Sequence, residues 1–312
     1  FIPYKALGVS SLGCLGATVA EYLVPGLGYG ILGQYEKMFI FGGSRWIAIN
    51  KYFEFVNDED YEESYDKIYK KSNLENDKKQ HDFFYSRETF YANSYLSIYG
   101  DLTFVTFYDL YETDCEYNPK TYSLMLSPFR IWEYGDKLTF WVPTIWASTV
   151  PLESEKITFH IDSDLNKNEM INMSFLQYQL VGVGEEMLFR GVIQQSLYRL
   201  LSKGGVSKNF SRWGSILTAS AVFGAAHAGR GFSATPTIAF AAGIYLGWVY
   251  HPADGDFNLT EPIAIHSWWD TILEHRRLSG AKYVERKQGE NAQNFSYSTH
   301  RTYPLFGFNY YF

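Results

Sequence analysis

Cysteine is scarce in this chain. Its 312 residues hold two, Cys14 and Cys115, which can pair but do not set out a disulfide framework. Cys14 is a poor candidate for lipid attachment, since Ser11-Leu12-Gly13 matches that signal badly. No basic stripe is present and the net charge is −7, which argues against a nucleic-acid partner. Neither a Gly-x-Ser-x-Gly elbow nor a His-Glu-x-x-His pair occurs, so the two commonest signatures of serine and zinc hydrolases are missing. Long apolar runs are few. The best is Gly231–Ala253, 23 residues without Asp, Glu, Lys or Arg, against the roughly 20 that a bilayer span requires. Charge is nearly absent elsewhere in this half. Met170–Gly184 and Gly191–Tyr198 contain none, and residues 213–253 contain only Arg230.

What is abundant is aromatic: 19% of the chain is Phe, Trp or Tyr, and Trp and Tyr favour membrane–water boundaries. A mean hydropathy of −0.21 averages over strongly segregated regions. Residues 1–50 read as a membrane-associated helical hairpin: uncharged Ala6–Ala20, a turn at Val24-Pro-Gly-Leu-Gly28, and apolar Met38–Asn50 interrupted by Arg45. The first residue is Phe1 rather than Met, which leaves open a removed leader or a start within the gene product.

Residues 51–165 form a polar and aromatic insert, partly solvent-exposed. Residues 51–90 are dense in Asp, Glu and Lys and read as a solvated helix or linker. Arg87–Glu112 recovers helical periodicity through Tyr91, Tyr95, Ile98, Leu102, Val105 and Tyr108. Asp101 and Asp109 make it an amphipathic or cavity-lining helix. Uncharged Leu138–Leu152 suits a bilayer segment or an apolar strand, and Ile157–Ile161 alternates as a strand with His160 on its polar side. Helix-capping residues follow at Asp162–Asn168.

From residue 166 to 275 the pattern is helical. Met170–Leu201 would run roughly 48 Å as one helix, longer than a bilayer core, so a break is expected near Gly182 or Gly184. Trp213–Gly229, Gly231–Ala253 and Thr260–Leu273 supply further helices, the last with Pro262 in its first turn. Residues 276–312 form a polar tail ending in the period-2 aromatics Phe306, Phe308, Tyr310 and Phe312. The expected class is therefore α: a polytopic helical membrane bundle in the C-terminal half, with a mixed, partly polar N-terminal region.

Ionisable residues inside the apolar half need a reason, because lipid penalises them. Glu185 and Glu186 adjoin one another, with Arg190 one turn beyond Glu186 and able to pair with it. Phe223 and His227 share a helical face, as do His266 and Asp270. Each histidine alone would read as a satisfied core residue; five such groups on neighbouring helices suggest a shared wet pocket. A carboxylate there can take a proton from water, a neutral His can protonate a leaving amine, and a His oriented by Asp270 can donate to an oxyanion. Glu185, His227 and His266 also form a conceivable zinc set. Activated water with no required cofactor is the first reading and zinc the alternative.

Glu-Glu-x-x-x-Arg-Gly, Phe-x-x-x-His and His-x-x-x-Asp, in that order over about a third of the chain, resemble the CPBP family. It includes type II CAAX prenyl proteases and bacterial bacteriocin-processing and self-immunity proteins. The small-residue helix Phe240–Gly247 also resembles the family's penultimate helix. The resemblance implies a membrane-embedded glutamate-dependent endopeptidase with Glu185 activating water and His227 assisting. His266 and Asp270 would form the oxyanion or positioning pair, and Glu186, Arg190 and Phe223 would support them. It implies a multi-pass location, with the bacterial cytoplasmic membrane expected and an outer membrane left open. The partners implied are membrane lipids and a membrane-anchored or lipidated peptide, with residues 1–165 able to enter a protein complex. The alternative is a non-catalytic scaffold or self-immunity protein that keeps the helix bundle.

Overall fold

The polar character of residues 51–90 hides two strands, and these explain how the chain is tied together. A computed structural model describes residues 11–58, 61, 65–70, 79–152, 157–227, 234–253 and 257–285. β1 (Tyr65–Lys70) pairs antiparallel with β2 (Lys79–Tyr85). β2 then pairs parallel with β3 (Ile157–Ile161), and β3 parallel with β4 (Lys282–Glu285). A solvated helix or linker was the expectation for this run. The strands escape a local reading because β2 finds its partner more than 70 residues away, where Phe83 lies opposite Phe159. Phe83, Phe159 and Tyr283 stack across the three strands, each adjacent pair of rings at 5.4 Å. The Arg277 guanidinium rests 5.2 Å from the Phe159 ring.

The remainder is helical: α1 (Ser11–Leu23), α2 (Leu27–Ile31), α3 (Tyr35–Lys37), α4 (Gly43–Val56), α5 (Arg87–Glu112) and α6 (Lys120–Met125). There follow α7 (Leu138–Thr149), α8 (Lys167–Glu186), α9 (Gln195–Lys203), α10 (Lys208–Ala226), α11 (Ala234–Tyr250) and α12 (Thr260–Gly280). Leu138–Leu152, open to strand or bilayer segment from its sequence, is mostly the helix α7, and Pro143 sits inside it. Lys208 begins α10 after the Ser207 cap, whose hydroxyl accepts from the Phe210 amide. Asn166 caps α8 with a full capping box to Glu169, as the polar loop before it suggested. The α12 helix runs seven residues beyond Leu273, to Gly280, before β4 begins. The aromatic tail from Phe306 lies outside the described residues.

The sheet packs against the starts of α5 and α8 and the end of α12 through Tyr85, Phe90, Phe159, Leu165, Met170 and Leu278. At the other end of α5, Asp114 and Cys115 both take positive φ, 48° and 61°, and the Cys115 amide returns to the Leu110 carbonyl at 3.0 Å. This closes the helix in a left-handed cap. The same turn brings Cys115 to Cys14 with Cα atoms 5.5 Å apart, and the two form a disulfide.

Three charged residues of the N-terminal hairpin, Glu21, Lys37 and Arg45, lie inside. Arg45 donates to Glu21 at 2.9 Å, and the amides of Gly26 and Gly28 donate to the same carboxylate at 2.9 and 3.1 Å. Gly26 sits at φ 85°, a conformation that glycine adopts without strain, and this forms the turn expected at Val24–Gly28. Lys37 donates to Asp109 at 2.8 Å, joined by the Tyr29 hydroxyl at 2.9 Å and Thr121.

No helix among the described residues is both long and apolar enough to cross a membrane. This corrects the expectation for Gly231–Ala253, within which α11 has 17 residues, about 26 Å of helix. The surface is nevertheless inverted relative to an ordinary domain. Arg45 and Arg190 are fully buried, while Leu12 is 79% and Trp132 75% exposed. Leu15, Leu23, Phe39, Ile47, Leu138, Val142, Leu200 and Phe210 are also more than half exposed. Exposed apolar area on this scale marks an interaction surface.

His251 follows α11 with its ring against Phe257 at 4.1 Å and Tyr198 at 4.6 Å. Burial first, and then the charge of Arg212, push it down to about 4. An unfolded imidazole titrates near 6.5, so between these values the unfolded chain binds the extra proton. Stability is intact above about pH 6.5 and falls as pH drops toward 4, by on the order of 2 kcal/mol. Thermal unfolding at pH 7 and pH 4.5 is expected to show this acid loss in the wild type and to show less of it in His251→Phe.

Candidate active site

Three glycines bring the site together. Met170–Leu201 does not break at Gly182 or Gly184. Helix continues through a π-helical stretch, Met187–Gln194, into α9. The glycines serve close approach instead. A Cβ on Gly184 would lie 2.7 Å from the Asp101 carbonyl of α5, and one on Gly182 would lie 2.7 Å from Ser267 Cα of α12. One on Gly191 would strike the Tyr108 ring at 2.5 Å. Small residues of this kind let helix backbones meet. The π stretch begins directly after Glu186, a placement often found at functional sites. Gln179 and Ser267 reinforce the α8–α12 contact: Gln179 Nε2 donates to Thr271 at 2.9 Å and Ser267 Oγ to the Gln179 carbonyl at 3.1 Å.

His266 of α12 stands at the centre. Its Nδ1 lies 2.9 Å from Glu186 Oε1. Its Nε2 lies 3.3 Å from Asp270 Oδ2 and 3.8 Å from Glu185 Oε2. Arg190 Nε donates to the other oxygen of Glu186 at 3.0 Å. The sequence-derived pairs Glu186–Arg190 and His266–Asp270 are therefore both present, and one imidazole links all three carboxylates. With a carboxylate at each ring nitrogen, only the doubly protonated ring donates to both sides. Glu185, Glu186 and Arg190 are fully buried; Asp270 and His266 are 4% and 7% exposed. Arg190 Nη1 and Nη2 are buried without a hydrogen-bond partner among the described residues, and its guanidinium lies 5.1 Å from the Phe223 ring.

Phe223 joins the second histidine to this group. Its ring is 5.8 Å from His266 and 4.5 Å from His227. His227 caps the end of α10 with Nδ1 2.7 Å from the Phe223 carbonyl. It is half-buried and is the most open of the candidate groups. Among the described residues no three His, Cys, Asp or Glu side chains gather as a metal site. The conceivable zinc set Glu185, His227 and His266 is thus not assembled there, and both nitrogens of His266 face carboxylates.

One acidic residue, read from the sequence only as making its helix amphipathic or cavity-lining, joins the cluster. Asp101 of α5 is 4% exposed and accepts from Ser97 Oγ at 3.2 Å. It faces Gly184 at backbone distance and lies within electrostatic reach of Glu185, His266 and Asp270. The signal was available: Ile98, Asp101, Val105 and Tyr108 follow a three–four–three spacing along the buried stripe of α5.

No curated protein and no solved structure matches this chain. Residues 167–272, which hold Glu185, Glu186, Arg190, Phe223, His227, His266 and Asp270 and make up about a third of the chain, match the model of the family described as "Type II CAAX prenyl endopeptidase Rce1-like".

Proposed function

We propose that the protein is a glutamate-dependent endopeptidase that hydrolyses a peptide bond of a membrane-anchored or lipidated substrate with activated water. The observation that carries this reading is His266 held between Glu186 on one nitrogen and Asp270 and Glu185 on the other. That buried acid–imidazole cluster lies within a bundle whose outside is rich in exposed Leu, Ile, Phe and Trp. A bilayer setting accounts for both features, since apolar side chains face lipid and charges face one another. We place the chain as a multi-pass protein of the bacterial cytoplasmic membrane, with residues 1–165 available to a protein partner.

In this mechanism Glu185 removes a proton from water as the water oxygen bonds to the scissile carbonyl carbon. The oxyanion so formed is stabilised by the terminal nitrogens of Arg190, while His266, held by Asp270 and Glu186, adds the positive charge of its ring beside it. The carbon–nitrogen bond then breaks as the leaving amine takes a proton from Glu185 or through His227. Glu186 holds His266 and Arg190 in register. No cofactor is required.

The full burial of Glu185 favours a second reading, a scaffold or self-immunity protein in which these groups are structural. Among the described residues its ion-pair contact is with His266 and not with Arg190, which favours the peptidase. Purified protein reconstituted in vesicles with a membrane-anchored peptide library separates the two. The peptidase yields new C-termini by mass spectrometry, and their loss in Glu185→Gln assigns the activity to this site. A folded wild type that yields none supports the scaffold.

A further inference from the structure

The turn between α9 and α10 takes no part in this reaction, since Arg212 lies fifteen residues before His227, about 22 Å along the helix. Its composition is one-sided. Between Met187 and Ala253 there is no Asp or Glu, and Arg199, Lys203, Lys208 and Arg212 cluster at this turn. Arg199 reaches Glu112 at 3.4 Å, whereas Lys203 and Lys208 are exposed. Leu200 and Phe210 beside them are 68% and 66% exposed. A basic turn set against exposed apolar side chains suits the level at which lipid tails give way to headgroups.

Arg212 itself is buried. Its Nε donates to the His251 carbonyl at 2.6 Å, and its guanidinium lies 5.0 Å from the Trp213 ring. Its Nη2 is buried with no hydrogen-bond partner among the described residues, and the same holds for Nδ1 of adjacent His251. Leaving one such group unsatisfied forfeits its hydration without return, and two on touching residues call for a common acceptor. An acceptor that suits a guanidinium is an oxyanion, and phosphate matches its fork. His251 in the tautomer with hydrogen on Nδ1 adds a donor.

We propose that Arg212 and His251 bind the phosphate of an anionic phospholipid headgroup, flanked by Lys203 and Lys208. This rests on the membrane setting proposed above but not on peptidase activity. The test reconstitutes the full chain in nanodiscs of phosphatidylcholine alone or with added phosphatidylglycerol. Melting temperature is recorded, with co-purifying lipid counted by native mass spectrometry.

In the wild type, phosphatidylglycerol is expected to raise the melting temperature by about 4 °C and to leave one retained lipid per chain. Arg212→Gln loses both, and the doubly substituted exposed variant Lys203→Gln/Lys208→Gln loses part of the increment. Inorganic phosphate added to phosphatidylcholine discs has little effect. A wild type indifferent to phosphatidylglycerol overturns the proposal, as does an increment that survives both variants. An equal increment from inorganic phosphate assigns the pocket to a free anion and overturns the headgroup. A folded chain that stays outside even neutral discs contradicts the membrane setting itself, an outcome read separately from the lipid increment.

Discussion

Glu185→Gln is expected to lower kcat about a thousandfold while KM changes only a few-fold. Glutamine keeps the size of the side chain and loses the basicity. A positioned general base is worth about 10²–10⁴ in rate, and a loss confined to kcat marks a group that acts in the transition state. The chain itself should tolerate the exchange. Glu185 carries none of the three shortest contacts of the cluster, which belong to Glu186 with His266, Glu186 with Arg190, and Asp270 with His266. Comparing cleavage rates with melting temperatures checks the point. A rate within tenfold of wild type excludes Glu185 as the base.

Arg190→Met is expected to have the largest effect on stability, about 3–5 kcal/mol. Both partners of the Arg190–Glu186 pair are fully buried. Removing the cation leaves the Glu186 carboxylate facing His266 alone, in surroundings that do not hydrate it. The paired substitution Glu186→Gln/Arg190→Met should recover much of that loss, because neither charge is then stranded. Denaturant or thermal unfolding of the single and paired variants measures the difference. A loss below about 1 kcal/mol, typical of a solvated surface pair, would show that water reaches Arg190 freely.

Legibility in the sequence follows how local each cause is. The limits of α5 were visible because its apolar stripe repeats at helical spacing from Tyr91 to Tyr108. The start of α8 was visible as a loop of capping residues, Asp162–Asn168, while the box that Asn166 forms with Glu169 is read from the structure. The same spacing placed His266 with Asp270 and Glu186 with Arg190. What stayed hidden depends on distant parts of the chain. Gly182 and Gly184 looked like a helix break, and only the arrival of Ser267 and Asp101 shows them to be contact points. β1 and β2 looked like a charged linker, since the pairing that ties them to the rest of the sheet joins β2 to β3, more than 70 residues further along the chain. The bridging position of His266 between Glu185, Glu186 and Asp270 also required the fold. Spacing gave the two helical pairs but not that they share one ring.

Whether these groups act as a unit is tested most directly by a double-mutant cycle on single-turnover cleavage, using Glu185→Gln, His266→Gln and the combination. Groups that serve one transition state are strongly non-additive. If His266 and Glu185 work together across their 3.8 Å contact, the double variant will be little slower than the slower single variant. If the two losses multiply, the residues act independently and the shared site described here is contradicted.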